Sequence, residues 1–237
     1  MNLIAPISPH PLSVKGILFD FDGTIADTLS LVLTIFNHVS PEYGLSPLKA
    51  EDVQQLRSMT SEEILRRSQI PFWQVLTLLL RTKKELHQRI HEVCPIPGIQ
   101  TMLVQLHSNG YQLGILTSNS RENVTRFLEI HGMESLFTDL LTGASINGKP
   151  RFLRRYLKQK QWSPQDILYV GDETRDIDAA RKAQVPVIAV SWGFNTRYIL
   201  ARQNPDYLIE DPQDLLSICQ GHAPRADSPH RQFHEAE

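Results

Sequence analysis

Asp20 and Asp22 stand one residue apart at the end of a short apolar run, in the segment ILFDFDGTIADT at 17–28, and Gly23-Thr24 follows them. Two carboxylates at that spacing suit metal-assisted phosphoryl transfer, because they offer oxygen ligands to a hard cation and an acid beside the reacting group. A strand has a side-chain period of two, so the pair would share a face if the strand ran on. Glycine tolerates conformations that other residues avoid, and Gly23 lets the chain turn and hold both carboxylates at the strand's carboxyl end. In open α/β sheets ligands bind at that edge. An Asp-x-Asp pair also occurs in ordinary loops and in metal-dependent sugar transferases, and the pair alone leaves those readings open. A calcium loop starting at Asp20 is discarded, since it would put Ile25 at the glycine position and Leu31 at that of the bidentate glutamate.

Three later loops carry complementary groups. Thr117-Ser118-Asn119 comes just before an expected helix. A hydroxyl and free backbone N–H groups there make a phosphate cradle; the plainer reading is a helix cap served by Ser120 alone. Lys149-Pro150 opens another helix, where a lysine can balance charge on a phosphate and on a nearby aspartate. Its neighbours Arg151, Arg154, Arg155, Lys158 and Lys160 read as a solvated helix face. Asp172 and Asp176, in GDETRD at 171–176, can complete an oxygen-ligand site for Mg²⁺; otherwise Asp172 ends a strand and Asp176 caps a helix. Acid pair, hydroxyl, lysine and second acid pair come in order, each at a strand end. The order carries more weight than any one loop.

The elements that must position these groups are legible from periodicity. Residues 16–20 form a first strand, and 27–39 a helix with Leu31, Leu33, Ile35, Phe36 and Val39 as its apolar positions, ended by Pro41. Ser46-Pro47 reads as the start of a helix through Leu56, Thr60-x-x-Glu63 as a capping box, and 71–93 as one long helix or two. From Pro95 the pattern alternates. Helices are expected after Pro97, after Ser120, at 151–160 and at 176–183, with strands at 111–117, 138–142, 167–170 and 187–190. Such alternation gives an α/β fold with a parallel sheet covered by helices on both faces. The helical stretch 29–94 then separates the first strand from the rest of its sheet, and is read as an insertion.

At 237 residues the chain can build one large α/β domain, or a core with a small insertion. A net charge of −2 and a pI near 6.5 provide no basic excess for nucleic acid. The apolar stretch at 75–80 falls far short of the ~20 residues that span a bilayer. The N-terminus has no basic start followed by a sustained apolar region, so a soluble, cytoplasmic protein is expected. Cys94 and Cys219 form no Cys-x-x-Cys pair and read as reduced and structural, and His91 with Cys94 as a helix end rather than a thiol site. The tail from Gly221, with His222, His230 and His234, reads as solvated and mobile.

The sequence resembles the haloacid dehalogenase-like hydrolase superfamily, in its phosphoglycolate phosphatase-like branch, over about 14–220. The resemblance rests on DFDGT at 20–24, LTSN at 116–119, GKP at 148–150 and GDETRD at 171–176, with SWGFN at 191–195 and NPDYLI at 204–209 in support. It implies a Rossmann-like core, 14–28 plus 95–220, with an inserted α-helical cap at 29–94 and flexible termini at 1–13 and 221–237. It further implies that Asp20 is a nucleophile forming an aspartyl-phosphate and that Asp22 is the acid/base. Mg²⁺ would be held by Asp20, the Asp22 carbonyl and Asp172, with Asp176 in direct or water-mediated support. Thr117, Ser118 and Lys149 would hold the phosphoryl group of a small phosphorylated metabolite, phosphoglycolate being the leading candidate.

Three departures from the branch's pattern stand out: Glu173 where a small residue is common, Gln184 in place of a helix-ending glycine, and Ser61 where related sugar-phosphate mutases carry a phosphate-gripping arginine. A sugar-phosphate mutase, in which Arg57, Arg66 or Arg67 takes over, and a catalytically quiet binding module are the alternatives. A dehalogenase is disfavoured by the acid at position 22.

Overall fold

The first strand, β1 (Gly16–Phe19), is buried along its whole length and lies in the middle of a six-stranded sheet. The computed structural model describes residues 14–68, 70–144 and 148–220; the flexible termini expected from the sequence, including the three tail histidines, lie outside the described residues. The other strands are β2 (Gln112–Leu116), β3 (Phe137–Leu141), β4 (Ile167–Gly171), β5 (Val187–Val190) and β6 (Tyr207–Ile209), in the spatial order β3-β2-β1-β4-β5-β6. Every pairing is parallel.

Runs such as GILF, ILYVG and VIAV are apolar throughout because both faces of this sheet are covered. Ile17 and Phe19 pack on one face with α5 (Ile99–Ser108) and α6 (Arg121–His131). Leu18 points to the other, against a cluster that includes residues of α7 (Lys149–Lys160) and α8 (Thr174–Ala183). A slip of one residue in β1 would carry each side chain to the opposite face and shift Asp20 from its place at the strand's end.

Five α-helices lie between β1 and β2 in sequence among the described residues: α1 (Leu29–Val39), α2 (Ala50–Arg57), α3 (Ser61–Ser68) and α4 (Phe72–Arg89), which fall within 29–94, and then α5. The fold is thus α/β, a Rossmann-like parallel sheet with a helical insertion. The stretch 71–93 is one helix followed by a short turn at Ile90–Glu92. The capping box forms: Thr60 N donates to Glu63 Oε2 at 2.8 Å and Glu63 N to Thr60 Oγ1 at 3.2 Å.

Two expectations need correction. The helix read from Ser46-Pro47 starts at Ala50, because Leu48 is held to α1 by two hydrogen bonds with the Asn37 side chain, and Asp52 rather than Ser46 accepts an N–H at its start, from Lys49. The alternation also does not end at β5: α9 (Arg197–Arg202), β6 and α10 (Asp214–Cys219) follow, all too short for periodicity to reveal. Cys94 and Cys219 are free, and among the described residues no helix is long and apolar enough to cross a membrane.

Candidate active site

The strand ends at Phe19, and Asp20 follows with its N–H on the Val170 carbonyl of the neighbouring strand β4, at 2.8 Å. Gly23 then turns the chain at φ +77°, a left-handed conformation. The turn is tied by the Phe21 carbonyl, which accepts N–H groups from Thr24, Ile25 and Ala26. Glycine is needed for space as well, because a Cβ there would lie 2.3 Å from Asp172 Oδ2.

Asp20 and Asp22 face different partners. Asp20 Oδ1 accepts the Phe21 N–H at 2.8 Å, and Lys149 Nζ lies 2.7 Å from Asp20 Oδ2. Lys149 also donates to Asp176 Oδ1 at 2.6 Å, so one buried ammonium joins the end of β1 to α8. Asp22 is half-buried and accepts from Asn119 Nδ2, 3.1 Å from each of its oxygens.

Asp172 is fully buried at the end of β4. Thr24 Oγ1 donates to its Oδ1 at 2.8 Å and the Phe194 N–H to its Oδ2 at 2.7 Å. Asp176 Oδ1 accepts from Tyr169 Oη at 3.0 Å as well as from Lys149, and Asp176 Oδ2 from the Glu173 N–H at 3.1 Å. Asp20, Asp172 and Asp176 each bring a carboxylate oxygen to within 4.8 Å of the others. The Glu173 side chain pairs with Arg175.

Four carboxylates, of Asp20, Asp172, Glu173 and Asp176, thus meet two cations, Lys149 and Arg175. Burial pushes the Asp20 carboxyl up to about 7, with Lys149 opposing it. Burial likewise holds Asp172 well above the ordinary aspartate range, and Glu173, Asp20 and Asp176 add to it. For Lys149 burial works against the charge, but Asp176 and Asp20 outweigh it and its pKa is raised. Asp22 is raised by burial, against the hydrogen bond from Asn119. An excess of buried negative charge over positive, on hard oxygen ligands, fits a divalent cation.

Thr117 is buried at the end of β2 with its Oγ1 accepting the Asn119 N–H at 3.0 Å, and Ser118 is half-buried beside it. Ser120 caps α6 through Asn123 N, as expected. The two plain readings of this loop and of Asp176 hold together with the chemical ones: Ser120 takes the cap and leaves Thr117 free of it, and Asp176 accepts at the start of α8 while also touching Lys149. The sheet order therefore brings Asp20, Lys149, Asp172 and Asp176 into direct contact or near contact, with Asp22, Thr117 and Ser118 on the flanking loops. The basic residues of α7 after Lys149 face outward, with Arg151, Arg154, Arg155 and Lys158 exposed.

The loop at 191–196 supported the resemblance through SWGFN, but sequence reasoning gave it no part in the site. Besides the Phe194 N–H, it places Gly193 so close that a Cβ there would lie 2.2 Å from Asp172 Oδ2. Trp192 Nε1 donates to the Thr24 carbonyl at 3.2 Å, and the Arg57 guanidinium reaches the carbonyls of Gly193 at 2.9 Å and Phe194 at 3.1 Å. A glycine between two aromatic residues after a buried strand was the available signal. Arg66 and Arg67 are exposed on α3, and Ser61 is its first residue.

A family model for haloacid dehalogenase-like hydrolases matches residues 17–190. A phosphoglycolate phosphatase from Synechococcus elongatus is 41% identical over 203 residues, covering 86% of this chain and 96% of its own. A pyrophosphatase from Oceanobacillus iheyensis is 28% identical, over 87% of this chain and 97% of its own. In fold, the chain is similar to a haloacid dehalogenase-like hydrolase from Streptococcus pneumoniae, with a TM-score of 0.74 at 22% identity, covering 86% of this chain and 98% of that one.

Proposed function

Because the chain belongs to the haloacid dehalogenase-like hydrolase family, we propose that it is a Mg²⁺-dependent phosphatase that hydrolyses a small phosphate monoester through an aspartyl-phosphate. The observation that carries this reading is Lys149 Nζ, at 2.7 Å from Asp20 and 2.6 Å from Asp176 in a buried cluster of acids. An anionic nucleophile approaches an anionic phosphate only where positive charge offsets their repulsion, and positioning and charge supply most of the catalysis of phosphoryl transfer.

In this reading Asp20 attacks phosphorus, with its plane fixed by the Phe21 N–H and Lys149. As the ester P–O bond breaks, Asp22 gives its proton to the leaving oxygen. The Asp22 carboxylate then takes a proton from water, whose oxygen attacks the aspartyl-phosphate, releasing phosphate and restoring Asp20. Thr117, Ser118 and Lys149 hold the phosphoryl oxygens. Asp20, Asp172 and the Asp22 carbonyl are the expected ligands of Mg²⁺, with Asp176 in support. When bound, the ion supplies charge neutralisation to nucleophile and phosphate.

We read 14–28 with 95–220 as the hydrolase core and 29–94 as a cap that excludes bulk water. Two cap cations rest on neutral carbonyls of core loops: Arg57 on Gly193 and Phe194, and Lys83 Nζ on Ser118 at 3.2 Å. Among the described residues neither is in an ion pair. A substrate with a second negative group would meet Lys83 next to the phosphate loop, which together with the Synechococcus relative favours phosphoglycolate. The commitment of Arg57 to the core loop speaks against its use as a mutase's phosphate grip. A cytoplasmic location goes with this reading.

The test is hydrolysis of p-nitrophenyl phosphate and phosphoglycolate with and without Mg²⁺, alongside Asp20→Asn and acid-quench trapping of a phosphorylated protein. Metal-dependent turnover and a trapped phosphoprotein, both absent in Asp20→Asn, are expected. A wild type as inert as the variant across a panel of phosphorylated metabolites would overturn the phosphatase reading.

A further inference from the structure

Asp22 is tied to the inserted helices by a chain of side-chain hydrogen bonds that the phosphoryl chemistry above does not use. Asn119 Nδ2 faces both Asp22 oxygens at 3.1 Å. Asn119 Oδ1 accepts from the Ser120 N–H at 2.8 Å and from Asn123 Nδ2 at 2.8 Å. Asn123 Oδ1 in turn lies 2.5 Å from His87 Nδ1.

The sense of this chain is forced. Turning the Asn119 amide round would set its NH₂ against two donors and its oxygen against a carboxyl. Asn123 is fixed in the same way, since its NH₂ is needed by the Asn119 oxygen. Only an acceptor is left for His87, so Nδ1 carries a proton whether the ring is neutral or charged. Each link therefore presents its positive end toward Asp22.

Burial adds to the case. Asn119, just before the cap of α6, and Asn123, in its first turn, are 6% and 3% exposed. Buried amides cost free energy unless every group is satisfied, and the helix start needs neither of them as its cap, because Ser120 has that task. His87, by contrast, is an exposed residue of α4 in the insertion, and its bond crosses from the inserted helix to the core.

We infer that Asn123 and His87 are positioning residues for Asp22. They hold the Asn119 amide with its NH₂ toward the carboxyl, so that the geometry for proton donation is complete only while α4 lies against α6. The inference rests on the reading of Asp22 as the acid/base. It is separable from that reading because it concerns residues that touch neither substrate nor phosphate.

The chemical consequence is a dependence on the leaving group. p-Nitrophenolate departs with little help, whereas an alkoxide needs its proton as the bond breaks. The experiment measures kcat and KM for p-nitrophenyl phosphate and for phosphoglycolate in His87→Phe, Asn123→Ala and His87→Asn. In the first two, kcat on phosphoglycolate should fall by about tenfold or more, the fall on p-nitrophenyl phosphate should be at least about fivefold smaller, and KM should hold. His87→Asn, which returns an N–H near the place of Nδ1, should restore most of the loss. Equal losses on both substrates, no loss on either, or no rescue by His87→Asn would overturn the inference. A wild type inactive on both would instead overturn the phosphatase reading.

Discussion

Lys149 Nζ lies 2.7 Å from Asp20 Oδ2 with both side chains buried, although they are 129 positions apart, because the sheet order sets the start of α7, after β3, and the end of β1 around one edge. Among the described residues the hydrogen-bonding partners of the Lys149 ammonium are acids: Asp176 is the second, and the Tyr169 ring lies 5.6 Å from the ammonium. Its charge is thus held for the site and not for solvent.

Replacing Lys149 by Met removes that charge while keeping much of the stem's packing. Loss of one donor preorganised for a developing negative charge costs about 10²–10³ in rate, and kcat/KM should fall by that much. Breaking a buried ion pair from one side costs about 3–5 kcal/mol, which urea unfolding in mildly alkaline buffer should register. Turnover at the wild-type rate would remove Lys149 from the phosphate-binding set.

The buried acids give the metal-free protein a pH dependence whose sign can be worked out. Asp20 is pushed up to about 7 and Asp172 is raised well above its ordinary range, both chiefly by burial. A carboxyl with a raised folded pKa holds its proton more tightly folded than unfolded. Its contribution is full below the unfolded pKa and is lost as pH rises through the folded one, so metal-free stability should decline from about pH 4 through pH 7. Added Mg²⁺ should restore the thermal midpoint most strongly on the alkaline side. Asp172→Asn can keep both partners, with its oxygen on the Phe194 N–H and its amide on the Thr24 hydroxyl. It should be more stable than the metal-free wild type above neutral pH by on the order of 1 kcal/mol, without a Mg²⁺ response. Thermal shift curves against pH decide this, and an undiminished Mg²⁺ response in the variant would take Asp172 out of the ligand set.

Gln184 ends α8 at φ +60°, with its N–H on the carbonyls of Ala180 and Arg181. The departure from a helix-ending glycine has left the turn unchanged and put a side chain in the left-handed region. Since that conformation costs a residue other than glycine about 1–2 kcal/mol, Gln184→Gly should stabilise the protein by about 1 kcal/mol with kcat unaltered. Equilibrium denaturation tests it; a loss of stability would mean that the glutamine side chain makes up the difference elsewhere.

What the sequence disclosed and what it hid divide along one physical line. Asp20 and Asp172 follow strands and Lys149 and Asp176 stand in the first turns of helices, and period and turn residues locate such boundaries within a few positions. Thr60 with Glu63 and Ser120 with Asn123 were legible for the same reason, as their partners lie three residues away. Asn119 with Asp22, and Arg57 with Gly193, are different: their partners lie 97 and 136 positions away, the first pair meeting because β2 flanks β1 and the second because the loop after β5 meets the end of inserted helix α2. No local pattern marks such pairs. Helices α9 and α10, of six residues each, are too short to display a period at all.

Lys83 provides the sharpest test of substrate choice. It reaches from α4 to the Ser118 carbonyl at 3.2 Å, one residue from Thr117, and among the described residues it is in no ion pair. A carbonyl is a weak partner for an exposed ammonium, and a carboxylate arriving with the substrate would replace it with a charge-assisted bond. Such bonds are worth about 1.5–3 kcal/mol, so Lys83→Met should raise KM for phosphoglycolate by roughly tenfold or more. p-Nitrophenyl phosphate has no second negative group, and its KM should change by less than about twofold. The ratio of the two KM effects cancels any general change in the cap. Equal effects on both substrates would show that Lys83 shapes the cap without reading the substrate, and would return the second anionic group to another residue or exclude it.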